Sequence, residues 1–452
     1  MASSGLAYRP PYCTNFFHFS SMRLFAARTI LNSLALTATS PSTGGPIAAT
    51  GTCRTRATTA LGATAPASAP ASTATSTSKQ QLDNVHTPVG KDGEGAYTAA
   101  TKGCFDVINA ATPAILKEVS SQPIRPNQAF HVADFGTADA GTSLGLLSNV
   151  VRAVRDREAD KEVVIHYEDQ LGNEWKSVFN HALGFKKVED AYGTAQSTPY
   201  DMGGVFVEAC GVGFHSQCYA SGSIDLGVSF TAMHWLSASP SSLRGSDYMH
   251  AARCPDGPPE AEKVQAAKDW DSILEARSKE LTKGGRFVCV NFCTSKEGYF
   301  LGQTDVGESM WDSFQASWDK LKEEGIIDDD ERLGVSFPNY YRTTEEFMAG
   351  IEKRSDLRLI SAEEKVVRCP YREQFVEGKT DMTPQEYAKW MVPTTKTWSH
   401  STFKAGLRDS RPDEEKEAIL DRFWSNYEDL VAKAPEKHGM DYVHSYLVIE
   451  KI

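Results

Sequence analysis

The residues whose spacing can carry chemistry stand between positions 134 and 169. Asp134-Phe-Gly136-Thr-Ala-Asp-Ala-Gly141 follows a short apolar run and leads into a helix pattern. A glycine after a strand lets the backbone approach a ligand closely, and the next helix offers its N-terminal amides. Three ligands compete for this loop. As a nucleoside triphosphate loop, GTADAGTS has the glycine spacing but places Thr142 where a phosphate-binding lysine is required. As a dinucleotide loop it lacks GxGxxG, because no second glycine follows Gly136 before Gly141. For S-adenosylmethionine (SAM), an acid at the strand end and a glycine turn are what is needed, with the acid holding the methionine ammonium directly or through water. Asp169 closes the next apolar run, roughly where a ribose-binding carboxylate stands in dinucleotide folds. The alternative for Asp169 is a solvated strand end.

Elements must place these two acids side by side. Apolar runs predict strands at Ala129–Asp134, Glu162–Asp169, Gly204–Glu208, Ile224–Phe230, Phe287–Phe292 and Tyr446–Ile449. A helix is predicted over Ser143–Arg157, where Leu144, Leu147, Val151 and Val154 share a face. Strands alternating with helices give an α/β fold with a doubly wound, mostly parallel sheet. Ligands in such sheets sit outside the carboxyl ends of the strands.

Composition narrows the function. The chain has 452 residues and a formal net charge of −12, and no Asp or Glu precedes Asp83. So acidic a body argues against a nucleic-acid partner, whose phosphates need clustered Lys and Arg. No apolar run reaches the roughly 20 residues of a spanning helix, so membrane insertion is not expected. The nine cysteines do not form a disulfide framework, and Cys289 and Cys293 lack the second pair a zinc knuckle needs. Residues 1–82 are rich in Ser, Thr, Ala and Pro, with scattered Arg and no acid. With the amphipathic stretch Met22–Thr37, they read as a disordered organelle transit peptide and linker ahead of a domain over 83–452. Mitochondrion and plastid both fit, and a flexible tail on a cytoplasmic protein is the alternative.

Seven further strings, in order along residues 95–452, carry a specific resemblance. Gly95-Ala-Tyr97-Thr-Ala-Ala-Thr101 is similar to SYxxNS, and Val132-Ala-Asp134-Phe-Gly136 to IADLG. Tyr167-Glu-Asp169-Gln-Leu-Gly172-Asn173 through Phe179 is similar to LNDLPGNDFNxxF, and Gly211-Val-Gly213-Phe214 to GSFY. Ser229-Phe-Thr231-Ala-Met-His234-Trp235-Leu236-Ser237 with Pro240 is similar to SSYSLHWLSxxP. Gly284-Gly285-Arg286 is similar to GGRMVL, and Phe337-Pro338-Asn-Tyr340 with Glu346 to IPxYxPSxxE. Together they resemble the SABATH methyltransferases, which methylate small carboxylic acids such as salicylate, benzoate and jasmonate, or ring nitrogens of xanthines.

The resemblance implies a seven-stranded methyltransferase sheet with a helical cap, here mainly within residues 297–430. Ser309–Gly325, Thr343–Arg354, Thr383–Trp390 and Asp413–Ala434 fit cap helices. It implies SAM as methyl donor, held by Tyr97, Thr101, Asp134, Gly136, Thr142, Asp169, Gly213 and Phe214, with Phe214 near adenine. It implies an acceptor pocket containing His234, Trp235 and Trp311, with the Trp235 indole N–H on the acceptor carboxylate. A carboxylate is already ionised at pH 7, so no acid/base residue is expected. A homodimer is a further possibility.

Departures fall mostly in the acceptor half. The tethering Gln of the family is Cys104 here, and the tyrosine near the transferred methyl is Thr231. Thr142 replaces a loop Asn and Ala140 a loop Gly. The optional metal ligands fall on Leu333 and Ser336, so no metal is expected. Carboxyl methylation of a small acid is therefore the leading expectation. Methylation of a nitrogen or thioether sulfur is the alternative, and a non-catalytic SAM-binding protein is a further one.

Overall fold

The computed structural model describes residues 90–240 and 242–452. The transit-peptide expectation for residues 1–82 lies outside the described residues.

The core strands are β1 (Phe130–Phe135) and β2 (Val163–Glu168), both almost wholly buried. Such continuous apolar runs belong to parallel strands covered on both faces. β3 (Val188–Glu189) and β4 (Ala195–Gln196) form a separate small ribbon. β5 (Val205–Cys210), β6 (Ile224–Phe230), β7 (Leu281–Phe292), β8 (Leu357–Val367) and β9 (Tyr442–Lys451) complete the main sheet. Its seven strands run in the order β5-β2-β1-β6-β7-β9-β8, and β9 alone is reversed. The expected fold class is thus observed.

The chain steps from β1 to β2 and β5 on one side, then returns to place β6 and β7 on the other. That reversal opens a crevice at the carboxyl ends of β1 and β6. Near it lie α1 (Ala96–Ala100), the first turn of α2 (Gly103–Ser121) and the start of α3 (Leu144–Arg155). α2 buries Cys104, Val107, Ile108, Ala111, Ile115 and Val119, the stripe of a core-facing helix. α4 (Trp175–Ala182) follows β2, and α5 (Glu260–Glu280) precedes β7.

The cap is built from α6 (Met310–Glu323), α7 (Asp329–Arg332), α9 (Pro370–Val376), α10 (Pro384–Gly406) and α11 (Asp413–Lys433). Phe314, Trp318, Phe403, Phe423 and Trp424 pack α6, α10 and α11 into one aromatic cluster. The helix expected at Thr383–Trp390 continues through Pro393 to Gly406. α8 (Thr344–Glu352), expected in the cap, instead flanks the sheet. Its Phe347 lies edge-on to Trp270 of α5, with ring centroids 5.0 Å apart. Among the described residues no helix is long and apolar enough to cross a membrane.

Candidate active site

The crevice is drawn together by close backbone contacts. Gly136 has φ +72°, and a Cβ there would lie 2.2 Å from that of Ala232, so the loops after β1 and β6 touch. The Gly136 amide donates to the Glu168 carbonyl at 2.9 Å and to Glu168 Oε2 at 3.0 Å. Ala138 and Ala140 stand at φ +49° and +66°, a region costing an L-residue about 1–2 kcal/mol. Hydrogen bonds hold them there. Asn173 Nδ2 donates to the Ala138 carbonyl at 2.6 Å, and His181 Nδ1 bonds the Asp139 carbonyl at 2.7 Å. The Asp139 carboxylate takes the Thr98 amide at 2.9 Å and the Thr98 hydroxyl, tying α1 to the loop.

Asp169 reaches across from the end of β2. Its Oδ2 accepts from the Ala138 amide and its Oδ1 from the Gln170 amide, both at 2.8 Å. Burial raises this carboxyl to about 6, against which the two amides work.

These elements enclose a cavity of about 1110 Å³, counting its open mouth. Of the residues expected at the cofactor, Tyr97, Thr101, Gly136, Asp169, Gly213 and Phe214 line it. Asp134 and Thr142 do not. Asp134 is buried behind the loop, where its Oδ2 accepts from Ser143 Oγ at 2.7 Å and Thr137 Oγ1 at 3.1 Å. It braces the glycine turn. Thr142 is the middle residue of the helical turn Gly141–Ser143 that precedes α3 and is not among the cavity-lining residues.

Of the expected acceptor residues, Cys104, Thr231, His234 and Trp235 line the same cavity. Trp311 does not. It stacks on His250 at 4.3 Å and meets Trp398 edge-on at 5.9 Å, and Trp398 is the residue that faces the cavity. Cap thickness explains the difference: Trp311 lies one layer too deep. Gln170 and His215 were also unforeseen, although each directly follows an expected residue. Trp398 comes from α10, Met440 from the loop before β9 and Tyr442 from the first position of β9, and no local signal in the sequence marks them.

Two devices fix the walls. The Arg277 guanidinium donates to the carbonyls of Phe214 at 2.9 Å and Ser216 at 3.0 Å, pairs with Glu280 at 2.6 Å, and lies 3.9 Å over the Phe135 ring. It is buried and pins the loop bearing Gly213 and Phe214. On the other side, the Tyr340 amide donates to the His234 carbonyl and the Leu236 amide to that of Pro338, both at 2.9 Å. Thr231 begins this acceptor loop at φ +71°, a strained setting for a β-branched residue.

Among the described residues no lysine or arginine lines the cavity, and Asp169 is the one carboxylate there. Burial raises the Cys104 thiol and the Tyr97 and Tyr442 phenols, so all three are neutral. Burial lowers His215. A carboxylate for a ribose diol, an aromatic ring for adenine and hydroxyls for an amino-acid part form a donor set that fits SAM. Among the described residues no group of three His, Cys, Asp or Glu is placed to hold a metal.

Residues 84–452 match the family described as SAM dependent carboxyl methyltransferase. Gibberellic acid methyltransferase 2 of Arabidopsis thaliana is 24% identical over 292 residues, 60% of this chain and 72% of that protein. Probable 7-methylxanthine methyltransferase 2 of Theobroma cacao is 25% identical over 279 residues, 58% of this chain and 72% of that protein. A solved loganic acid methyltransferase with SAH has the same fold, with a TM-score of 0.64 and 18% identity over 80% of this chain and 98% of that one.

Proposed function

The chain belongs to the SAM-dependent carboxyl methyltransferase family, and from that premise we propose how it holds a small organic acid for methylation. It is a methyltransferase that takes its methyl group from SAM and forms a methyl ester on a carboxylate. SAM brings an electrophilic methyl group, so the protein's task is alignment and exclusion of water. Asp169, Phe214 and Gly213 hold the donor on the β2 and β5 side of β1. Trp235 and His234, on the β6 side, hold the acceptor, with the Trp235 indole N–H on a carboxylate oxygen.

The observation carrying this reading is the wall itself. Trp235 and Asp169 share one cavity from the two sides of β1, and among the described residues no lysine or arginine lines its acceptor end. Neutral donors suit an acid that arrives already ionised. No side chain has to remove a proton, and His215, lowered by burial, is poorly suited to do so.

The test is methyl-labelled SAM with a panel of acids (benzoate, jasmonate and gibberellic acid), followed by mild base. Base-labile label supports ester formation. Base-stable label sinks it in favour of nitrogen or sulfur methylation, which the loss of the Gln tether at Cys104 favours. The acid-free, Arg-bearing composition of residues 1–82 supports an organelle address. A fluorescent fusion of that segment remaining in the cytoplasm would overturn it.

A further inference from the structure

The position of the family's tethering Gln is filled by Cys104, whose thiol is short and a weak donor. Cys104 is buried in the cavity wall, and Tyr97 Oη lies 3.8 Å from its Sγ. A third group reaches the same spot from the far end of the chain. Tyr442 opens β9 and lines the cavity, and it works against the burial that raises the Cys104 thiol.

The start of α2 is shaped around that phenol. A Cβ on Gly103 would lie 2.3 Å from Tyr442 Cε2 and 2.7 Å from Tyr442 Oη. Gly103 and Cys104 therefore leave the volume the ring occupies. The ring is held in place by stacking on Phe292 at 6.1 Å and on His444 at 5.9 Å. A phenol is a better donor than a thiol and, unlike an ammonium, needs no charge to be buried.

We propose that Tyr442 supplies the acceptor tether that Cys104 no longer provides, its hydroxyl donating to one carboxylate oxygen while the Trp235 indole donates to the other. The inference rests on the carboxylate reading above. It defines the acceptor class as an acid whose carboxylate sits between α2 and the loop after β6, with its apolar part toward Leu301, Pro338 and Trp398. A phenol from β9 then stands in for a side chain on α2.

The experiment compares full-length wild type, Tyr442→Phe and the double variant Cys104→Gln/Tyr442→Phe. The probes are benzoate, jasmonate and gibberellic acid with labelled SAM, and SAH for titration calorimetry. Tyr442→Phe is expected to raise the KM of the acid turned over by roughly tenfold or more, the scale of one hydrogen bond to a charged group. SAH affinity stays within about twofold, and the double variant regains part of the loss because a donor returns to α2. An unchanged acid KM in Tyr442→Phe overturns the tether while ester formation stands. Equal loss of SAH affinity, or no recovery in the double variant, also overturns it, since either marks a packing role. If the wild type makes only base-stable product, the carboxylate reading and the tether fall together.

Discussion

At the residue scale, Asp169 makes the sharpest commitment. Its carboxyl sits near 6 because it is buried, well above an exposed aspartate. In the proposed role it accepts the ribose hydroxyls most strongly when ionised, because both oxygens are then acceptors. SAH affinity should therefore fall as pH drops through about 6, by about tenfold between pH 7 and 5, and Asp169→Asn should be weaker at pH 7 and flat over that range. Stability has the opposite sign. A carboxyl raised above its unfolded value adds stability below that value and loses it as pH rises through 6. Melting curves of wild type against Asp169→Asn should show the wild type gaining on the variant toward lower pH. Trp235→Phe keeps an aromatic ring, smaller than indole, and removes the N–H donor. It should raise the acid KM roughly 10- to 100-fold with SAH binding intact, as expected for a lost bond to a charged group worth about 1.5–3 kcal/mol. Steady-state kinetics against calorimetry separates the two. Cys210 gives an independent check on loop electrostatics. The neighbouring Cys218 side chain holds its thiol down to about 6, so iodoacetamide at pH 7 should label Cys210 ahead of the other described cysteines.

At the element scale, the loop after β5 depends on a residue that never touches the cavity. Arg277, on α5, bonds the carbonyls of Phe214 and Ser216 and a buried Glu280. Arg277→Ala leaves the Glu280 carboxylate buried without its counter-ion, held only by the Cys218 and Tyr219 amides, which should cost about 3–5 kcal/mol in denaturant unfolding. In the fraction still folded, SAH binding should weaken while the acid KM changes less, because the acceptor loop is zipped separately to residues 338–340. The elements also show what was legible in the sequence. β1, β2 and β6 announced themselves as apolar runs, and the motif loops followed them into the crevice. β8 did not, because it is an edge strand with Arg358, Glu363, Glu364 and Lys365 on a half-exposed ribbon. α10 looked finished before Pro393, although packing against α11 carries it on to Gly406. Trp311 was expected in the wall by alignment along the chain. The layer it occupies is set by α10, which no local pattern reveals.

At the scale of the whole molecule, the cavity is closed by the two ends of the described chain. Tyr97 and Thr101 come from its beginning and Met440 and Tyr442 from its end, and all four line one space. The site therefore exists only when the sheet, its reversed strand β9 and α1 are all in place. The segment before α1 takes part in this closure. The Gly93 and Gly95 amides donate to Ser177 Oγ at 2.9 and 3.1 Å, and Asp92 Oδ1 accepts from the Lys176 amide at 3.1 Å. A protein beginning at residue 84 keeps these contacts and every site residue. It should match the full-length chain in melting temperature, SAH affinity and methyl transfer. A protein beginning at residue 102 loses Tyr97, Thr101 and the Thr98 clamp on Asp139. Ala138 and Ala140 then stand at left-handed φ with one restraint fewer, and the glycine loop is free to relax. SAH affinity should drop by at least tenfold with the cap still folded, since the aromatic cluster of α6, α10 and α11 uses none of the removed residues. Equal SAH affinity for the two truncations would mean that α1 only covers the site and takes no part in forming it.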